Sequence, residues 1–311
     1  MTNTVDDLLD AKTIFVIGSN TTIAHPIVGF QIKKAVRERG AKLIVADPRR
    51  IPLVDLATLW LPLKPGTNVA LLNGIMNVIL AEGLADRDFI AARTEGFAAL
   101  EEVLPESPPE RVASITGVPA EDIRAAARIY AGSGPAAICY TMGITQHTTG
   151  TDNVLSLANL AMLTGNIGKR GAGVNPLRGQ NNVQGACDMG ALPNVFPGYR
   201  PVSDPEARRA FEAAWGVALD GAPGLTHTEI FHAAHAGEIR ALYLVGENPL
   251  LSEADASVVD EALGRLEFLV VQIHEPHFQP AQLVSKPKAI PARQFGRLAQ
   301  RKLSDLEKPD R

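Results

Sequence analysis

The sequence predicts an α/β protein, doubly wound, with mainly parallel sheets and helices on both faces. Three observations carry this. Short apolar runs rich in Val, Ile and Leu recur along the chain, most of them end in Gly, Asn, Asp or Pro, and stretches of helical spacing separate them. A helix between two strands forces a crossover, so neighbouring strands of this kind lie parallel rather than in hairpins.

The first run is TIFVIGSN (13–20), a buried strand ending in a polar loop. From Pro26 to Arg39, Ile27, Phe30, Ile32 and Val36 recur at near-helical spacing, and Gly40 stops the helix. AKLIVADPRR (41–50) is a second strand closed by Asp47-Pro48, which completes a βαβ unit. ATLWLPL (57–63) is a third strand, and the apolar stretch 68–82 is the helix after it. Residues 86–132 read as helical, with Pro119-Ala-Glu-Asp as a helix start. AAICYTMG (136–143) is the next strand and 151–165 the next helix. Between 166 and 203 no period survives; the stretch is rich in Gly, Asn, Gln and Pro and poor in charge, which suits an ordered polar lining. Helices follow at 204–216 and 226–237, then a strand (241–250), a helix (255–264) and a last buried strand, LEFLVVQ (266–272). The expected organisation is a first α/β lobe over 1–135, a second over 136–272, and a poorly ordered tail over 273–311 with no sheet-like run.

Composition narrows the function. With 30 basic and 34 acidic residues the 311-residue chain carries a net charge of −4, which gives nucleic acid or an anionic membrane no purchase. No apolar run reaches the roughly 20 residues of a membrane span, and the acidic start MTNTVDDLLDAK has no hydrophobic signal core, so the cytoplasm is the expected location. The two cysteines, Cys139 and Cys187, are far apart and form no CxxC, so cysteines alone cannot hold an iron–sulfur cluster or a structural zinc. Cys139, inside AAICY, reads as core filler.

In doubly wound sheets ligands bind beyond the carboxyl ends of the strands. Four loops occupy that location here. Gly18-Ser19-Asn20 permits close backbone approach and supplies an amide. Asp47 ends the second strand, where an acid accepts from ribose hydroxyls or base N–H groups. Lys64-Pro65-Gly66-Thr67-Asn68 turns into a helix N-terminus, a site for an anion or a purine edge. Gly246-Glu247-Asn248-Pro249 repeats the theme. Each loop alone reads equally as a plain turn; together they suggest a nucleotide-bearing ligand spread over two lobes. There is no GxGxxG after the first strand and no GxxxxGK[ST], which argues against an ordinary NAD domain and against P-loop chemistry. In NPLRGQNNVQGACDMG (175–190) a single arginine, Arg178, sits among five amide side chains. It is either a fork for a carboxylate or phosphate, or half of a structural bridge with Asp188.

The ordered series GSN, ADPRR, KPGTN, TQHTTG, LTGNIGKRGAGVNPLRGQNNVQGACDMG, FPGY and GENPL resembles the catalytic (alpha) subunit of molybdopterin-dependent formate dehydrogenases from about residue 11 to 272. TQHTTG is similar to the NAD-linked branch. The resemblance implies a molybdopterin oxidoreductase-like fold, oxidation of formate to carbon dioxide, and a bis(molybdopterin guanine dinucleotide) cofactor with molybdenum or tungsten. It implies that Arg178 orients the formate carboxylate and that Gln180 faces the same pocket. Gly18, Asn20, Asp47, Arg49, Gly66, Thr67 and Asn68 would hold one guanosine arm. Gly143, Gln146 and His147 would lie near the pterins, and Gly246, Glu247 and Asn248 near the cofactor on the other lobe. His147 reads equally as a hydrogen-bonded loop residue, as does His25.

The family also has an iron–sulfur domain, a Cys or selenocysteine followed by His at the metal, and a C-terminal cap; none matches this sequence. No residue of this chain is therefore expected to ligate the metal, and formate turnover is expected only with other subunits or a chain supplying those parts. The alternatives are a non-catalytic pterin-nucleotide-binding fragment or another molybdopterin oxidoreductase. Ile273 stands where the family continues with an acid, and the 39 residues from there resemble nothing in it, as a shifted or shortened reading frame would leave them. Ile23 likewise stands where relatives carry an acid near the guanosine site.

Overall fold

Strands buried along their whole length decide the architecture. In the computed structural model, which describes residues 1–132, 134–253, 255–272 and the backbone of 289–291, β1 (Thr13–Ile17) and a strand at Ala136–Tyr140 are buried at every position. A strand with no exposed side needs cover on both faces, and helices supply it. The chain forms two compact units, Met1–Val183 and Gln184–Arg311.

The first unit is built on one parallel sheet of five strands. β1, β2 (Lys42–Ala46), β3 (Leu59–Leu61), β4 (Ala136–Tyr140) and β5 (Gly173–Pro176) lie in the order β3-β2-β1-β4-β5. Side chains alternate across it, as the period of a strand requires. Phe15, Ile17, Ile44 and Ile138 join a core with the helices α2 (Asn68–Ala81), α3 (Ala120–Gly132) and α4 (Gly150–Leu163). Ile14, Val16, Leu43 and Cys139 join the opposite core with α1 (Pro26–Arg39) and the 3-10 helix Asp6–Asp10.

Three sequence expectations change here. The buried stripe of α1 is Val28, Ile32 and Ala35, while Ile27 and Phe30 are exposed; the i, i+4, i+7 series, not the largest side chains, faces the sheet. The stretch 166–203 is not without strands, since Gly173–Pro176 forms the sheet edge β5. Its Gly and Pro disguise it, and an edge is where a strand tolerates proline. Finally, β4 and β5 complete the first sheet, so the division falls at 183/184 and not at 135/136.

The second unit carries β6 (Val195–Phe196) antiparallel to β7 (Arg200–Pro201), and the helices α5 (Pro205–Trp215), α6 (His227–Ala236) and α7 (Ala256–Arg265). Its parallel sheet runs in the order β10-β9-β8, from β8 (Ala241–Val245), β9 (Phe268–Gln272) and β10 (Ala289–Pro291). Phe231, Ala234, Val259, Leu263, Leu269 and Val271 form its core. Thr226 and Glu229 form a capping box on α6, which fixes where that helix begins. The expected tail therefore includes a strand at 289–291; the rest of that expectation, Ile273 included, lies outside the described residues. No helix among the described residues is long and apolar enough to cross a membrane.

Two features of the first unit have measurable consequences. Cys139 is fully buried and burial pushes its thiol up to about 12. Because the thiolate is the reactive form, iodoacetamide at pH 8 should leave Cys139 unmodified until the chain is unfolded. Peptide mapping that finds it labelled as fast as Cys187 would contradict the fold around β4. Asp10 bonds Arg170 and, at 2.7 Å, Arg39. The Arg170 hydrogen bond, opposed by burial and helped by the charges of Arg170 and Arg39, holds its carboxyl below the usual range. A depressed carboxylate stabilises the fold above its unfolded value and loses that contribution as pH falls. The difference in denaturation midpoint between the parent and Asp10→Asn should shrink as pH drops through about 4; a constant difference would show that charge plays no part.

Candidate functional site

The strand order reverses direction between β1 and β4, and the loops leaving their carboxyl ends diverge there, the place where ligands bind in open parallel sheets. The two loops are tied together by backbone. The Gly18 carbonyl accepts from Gly143 N–H (3.1 Å) and from Thr141 Oγ1 (2.8 Å), and the Gly18 N–H donates to Ala46 O (3.0 Å). Gly18 has a φ of +57°, and a Cβ there would stand 2.6 Å from the Gly143 carbonyl carbon. Only glycine fits.

Around this point the loops after all five strands line one edge. Asn20 is half-buried and precedes the short helix Thr21–Ala24, whose last N–H groups bond its carbonyl. Asp47, after β2, is buried, and its Oδ1 accepts from Arg49 N–H at 2.8 Å with Arg49 Nε 3.6 Å away. The Arg49 guanidinium itself is exposed. Gly66 sits at φ +83° with open space where a side chain would be, Thr67 Oγ1 donates to Lys64 O (2.7 Å), and Asn68 begins α2. The first N–H groups of that helix lack partners within the helix.

After β4, the turn Met142–Thr145 leads to Gln146, which is exposed, and to His147, whose Nε2 lies 2.9 Å from Gly143 O. A carbonyl only accepts, so this nitrogen carries the proton. After β5, Leu177 N–H donates to Tyr140 O (2.8 Å), and Arg178 and Gln180 follow with exposed side chains. The Arg178 carbonyl accepts from His25 Nε2 at 2.7 Å, and His25 Nδ1 is buried with no hydrogen-bond partner. Burial pushes the Tyr140 phenol up while the charge of Arg178 works against it, so the guanidinium and the phenol share one neighbourhood.

Twelve of the fifteen expected site residues thus lie on one sheet edge of the first unit. Gly246, Glu247 and Asn248 lie in the second unit, on the loop after β8. Gly246 has φ +67° and donates to Gln272 O (2.8 Å), Glu247 accepts from Ser252 Oγ (3.0 Å), and Asn248 Oδ1 is buried without a partner. Sequence reasoning passed over Tyr140 and gave His25 no part in placing Arg178. Tyr140 is legible as the last residue of a strand at its carboxyl end. The His25–Arg178 bond spans 153 positions and has no local signal.

The donor set fits a large, anionic, nucleotide-bearing group. A buried acid, paired amides and helix N–H groups suit a base, a ribose and phosphates, and two exposed guanidiniums suit negative charge. A family model described as molybdopterin oxidoreductase matches residues 1–276. The F420-dependent formate dehydrogenase 1 subunit alpha of Methanococcus maripaludis is 50% identical over 273 residues, covering 88% of this chain and 40% of that protein. Formate dehydrogenase H of Escherichia coli is 48% identical over 273 residues, covering 88% of this chain and 38% of that protein. The chain therefore spans about 40% of the length of these relatives. Acetylene hydratase from Pelobacter acetylenicus shares the fold, with a TM-score of 0.67 at 24% identity over 90% of this chain and 42% of that one. With its parallel five-stranded sheet, its polar edge and this match over most of its length, the chain belongs to the molybdopterin oxidoreductase family, whose cofactor is a molybdopterin carrying a metal.

Proposed function

We propose that this chain forms the pterin-nucleotide cradle and the substrate arginine of a formate dehydrogenase catalytic subunit. The reaction is the two-electron oxidation of formate to carbon dioxide. The observation that carries the proposal is the position of Arg178 and Gln180: exposed, beyond the carboxyl end of β5, on the sheet edge that also bears residues 18–20, 47–49, 66–68 and 143–147. The cofactor would be a bis(molybdopterin guanine dinucleotide) with molybdenum or tungsten, and it would supply the acceptor for the two electrons. Asn20, Asp47, Arg49, Gly66, Thr67 and Asn68 would hold one guanosine arm by amide, carboxylate and helix N–H contacts. Gly18 and Gly143 let the β1 and β4 loops touch backbone to backbone beside that edge. Gln146 and His147 would face the pterins, and Gly246, Glu247 and Asn248 would serve the cofactor from the second unit.

Arg178 would bind the formate carboxylate through two parallel N–H donors, neutralising the anion and fixing the direction of its C–H bond. Gln180 would add an amide to the same pocket. The partners are formate and the further subunits or segments that complete the family's catalytic subunit, and the setting is the cytoplasm.

The test is a graft. Residues 1–272 replace the matching segment of the F420-dependent formate dehydrogenase subunit alpha from Methanocaldococcus jannaschii, which is 50% identical over 272 residues. Cofactor content and formate-dependent dye reduction should both be retained. A graft that loads the cofactor and turns over no formate would remove formate from the proposal while leaving the cradle.

A further inference from the structure

We propose that the second unit carries a site for a divalent transition-metal cation, formed by His227, Glu247 and Glu253. The inference goes beyond the proposed formate chemistry and shares one residue with it, Glu247, whose carboxylate is assigned here to the cation. His227 is the first residue of α6, Glu247 lies on the loop after β8, and Glu253 ends the short helix Pro249–Ser252. Three separate elements thus bring one ligand atom each to a common point. His227 Nε2 is 3.3 Å from Glu253 Oε1 and 3.9 Å from Glu247 Oε2, and the three ligand atoms lie within 4.8 Å of one another.

The His227–Glu253 separation is already what a small cation demands. Zinc bonds imidazole nitrogen and carboxylate oxygen at about 2.0–2.2 Å, so ligand atoms around a tetrahedral ion stand roughly 3.3–3.6 Å apart. Glu253 already stands at that distance from His227, whereas the Glu247 carboxylate, 3.9 Å from His227, closes on the set by side-chain rotation. The imidazole separates this set from an ordinary patch of surface acids, because it prefers zinc-like ions over calcium and magnesium.

A second observation points independently to a cation. Among the described residues no lysine or arginine pairs with either carboxylate; their partners are His227 and the Ser252 hydroxyl, which donates to Glu247 Oε1 at 3.0 Å. Elsewhere several carboxylates have arginine partners, as Glu82 has Arg128 and Glu267 has Arg240. Two carboxylates held together without such a partner repel one another unless a cation sits between them, either the imidazolium of His227 or a metal ion bound by its neutral ring. The Ser252 bond orients Glu247, as hydrogen bonds behind a ligand orient it in metal sites. Glu253 is largely buried and His227 half-exposed, so three protein ligands would leave a position open to solvent.

Equilibrium dialysis of the full chain against Zn²⁺ should find one equivalent bound that neither Mg²⁺ nor Ca²⁺ displaces at equal concentration. His227→Ala and Glu253→Gln should each weaken that equivalent by about tenfold or more. His235→Ala is the control, because His235 meets a single carboxylate, Glu261, at 2.8 Å; it should leave the equivalent intact. The Co²⁺-loaded chain should show the visible bands of low coordination, lost in His227→Ala, which separates direct ligation from a general loss of fold. No saturable Zn²⁺ equivalent in the parent, or parent-like binding in both variants, would overturn the proposal.

Discussion

Gly18→Ala is expected to destabilise the first unit by on the order of 3 kcal/mol, more than Gly40→Ala, which should cost about 1–2 kcal/mol. Both glycines have left-handed backbone, with φ of +57° and +68°, so both alanines incur the strain of about 1–2 kcal/mol that an L side chain meets there. They differ in what the methyl group touches. Around Gly40 nothing lies within 4 Å, whereas at Gly18 the methyl meets Gly143 C at 2.6 Å, Gly143 O at 2.9 Å and Ile144 N at 2.9 Å. All three are backbone atoms, so no rotamer change relieves the overlap. The turn that carries them must move away from β1, and the bonds from Gly143 N and Thr141 Oγ1 to the Gly18 carbonyl stretch with it. Urea denaturation of the two variants, read as midpoints at unchanged slope, checks this. Equal losses would mean that the β1 and β4 loops do not touch as described.

The mutual approach of these loops was only half legible in the chain. GSN after an apolar run announces a loop that needs glycine, and TMG after AAICY announces another. Nothing local says that the two glycines face each other across 125 positions. That knowledge comes from the pairing of β1 with β4, in which Ile17 stands beside Tyr140. The same distinction runs through the molecule. Strands 13–17, 42–46 and 136–140 are legible because a strand buried on both faces is uniformly apolar. The edge strand β5 is not, because an edge has less to bury and admits Gly173 and Pro176. Missing it also misplaced the boundary: without β5, β4 looks like the start of a new sheet rather than the fourth strand of the first. In α1 the bulk of Ile27 and Phe30 outweighed phase, although the smaller Val28, Ile32 and Ala35 keep the better helical period.

The candidate site was more legible than the fold around it, because its residues are short polar breaks after apolar strands and each break is local. What the sequence leaves out is the coupling between the breaks. His25 donates to the carbonyl of Arg178, and Trp60 Nε1 donates to the carbonyl of Asp47 at 3.0 Å. Both bonds hold the backbone of a candidate functional residue from another element, 153 positions away for Arg178 and 13 for Asp47. Such bonds arise only once the strands are in order, so no motif predicts them.

Arg178→Lys, made in the grafted full-length subunit, should lower formate turnover roughly 10- to 100-fold at low formate while leaving cofactor content unchanged. The geometry of a guanidinium sets this expectation. It offers two coplanar N–H donors matched to the two oxygens of a carboxylate, whereas an ammonium supplies the charge without the fork. Losing one charge-assisted bond, worth about 1.5–3 kcal/mol, accounts for the size of the effect. The structure adds a reason to expect the loss to be local. Arg178 stands on an exposed loop, and the contact that anchors this loop to His25 uses the backbone carbonyl, which the substitution leaves in place. The fold and the polar loops after β1, β2 and β3 should therefore be untouched. If Arg178 only holds its loop, lysine should change neither the KM for formate nor the rate. If it aligns the substrate, KM rises because binding loses a donor, and kcat falls because the remaining donor no longer fixes the C–H bond. Larger carboxylates provide a further check. A second donor that merely neutralises charge would treat acetate and formate alike as competitive ligands in both proteins. A fork that orients one small carboxylate should lose its discrimination between them when it becomes a point charge. Unchanged kinetics in Arg178→Lys at parental cofactor content would take Arg178 out of the substrate site and return it to the structural role that its neighbours in the polar stretch 175–190 also allow.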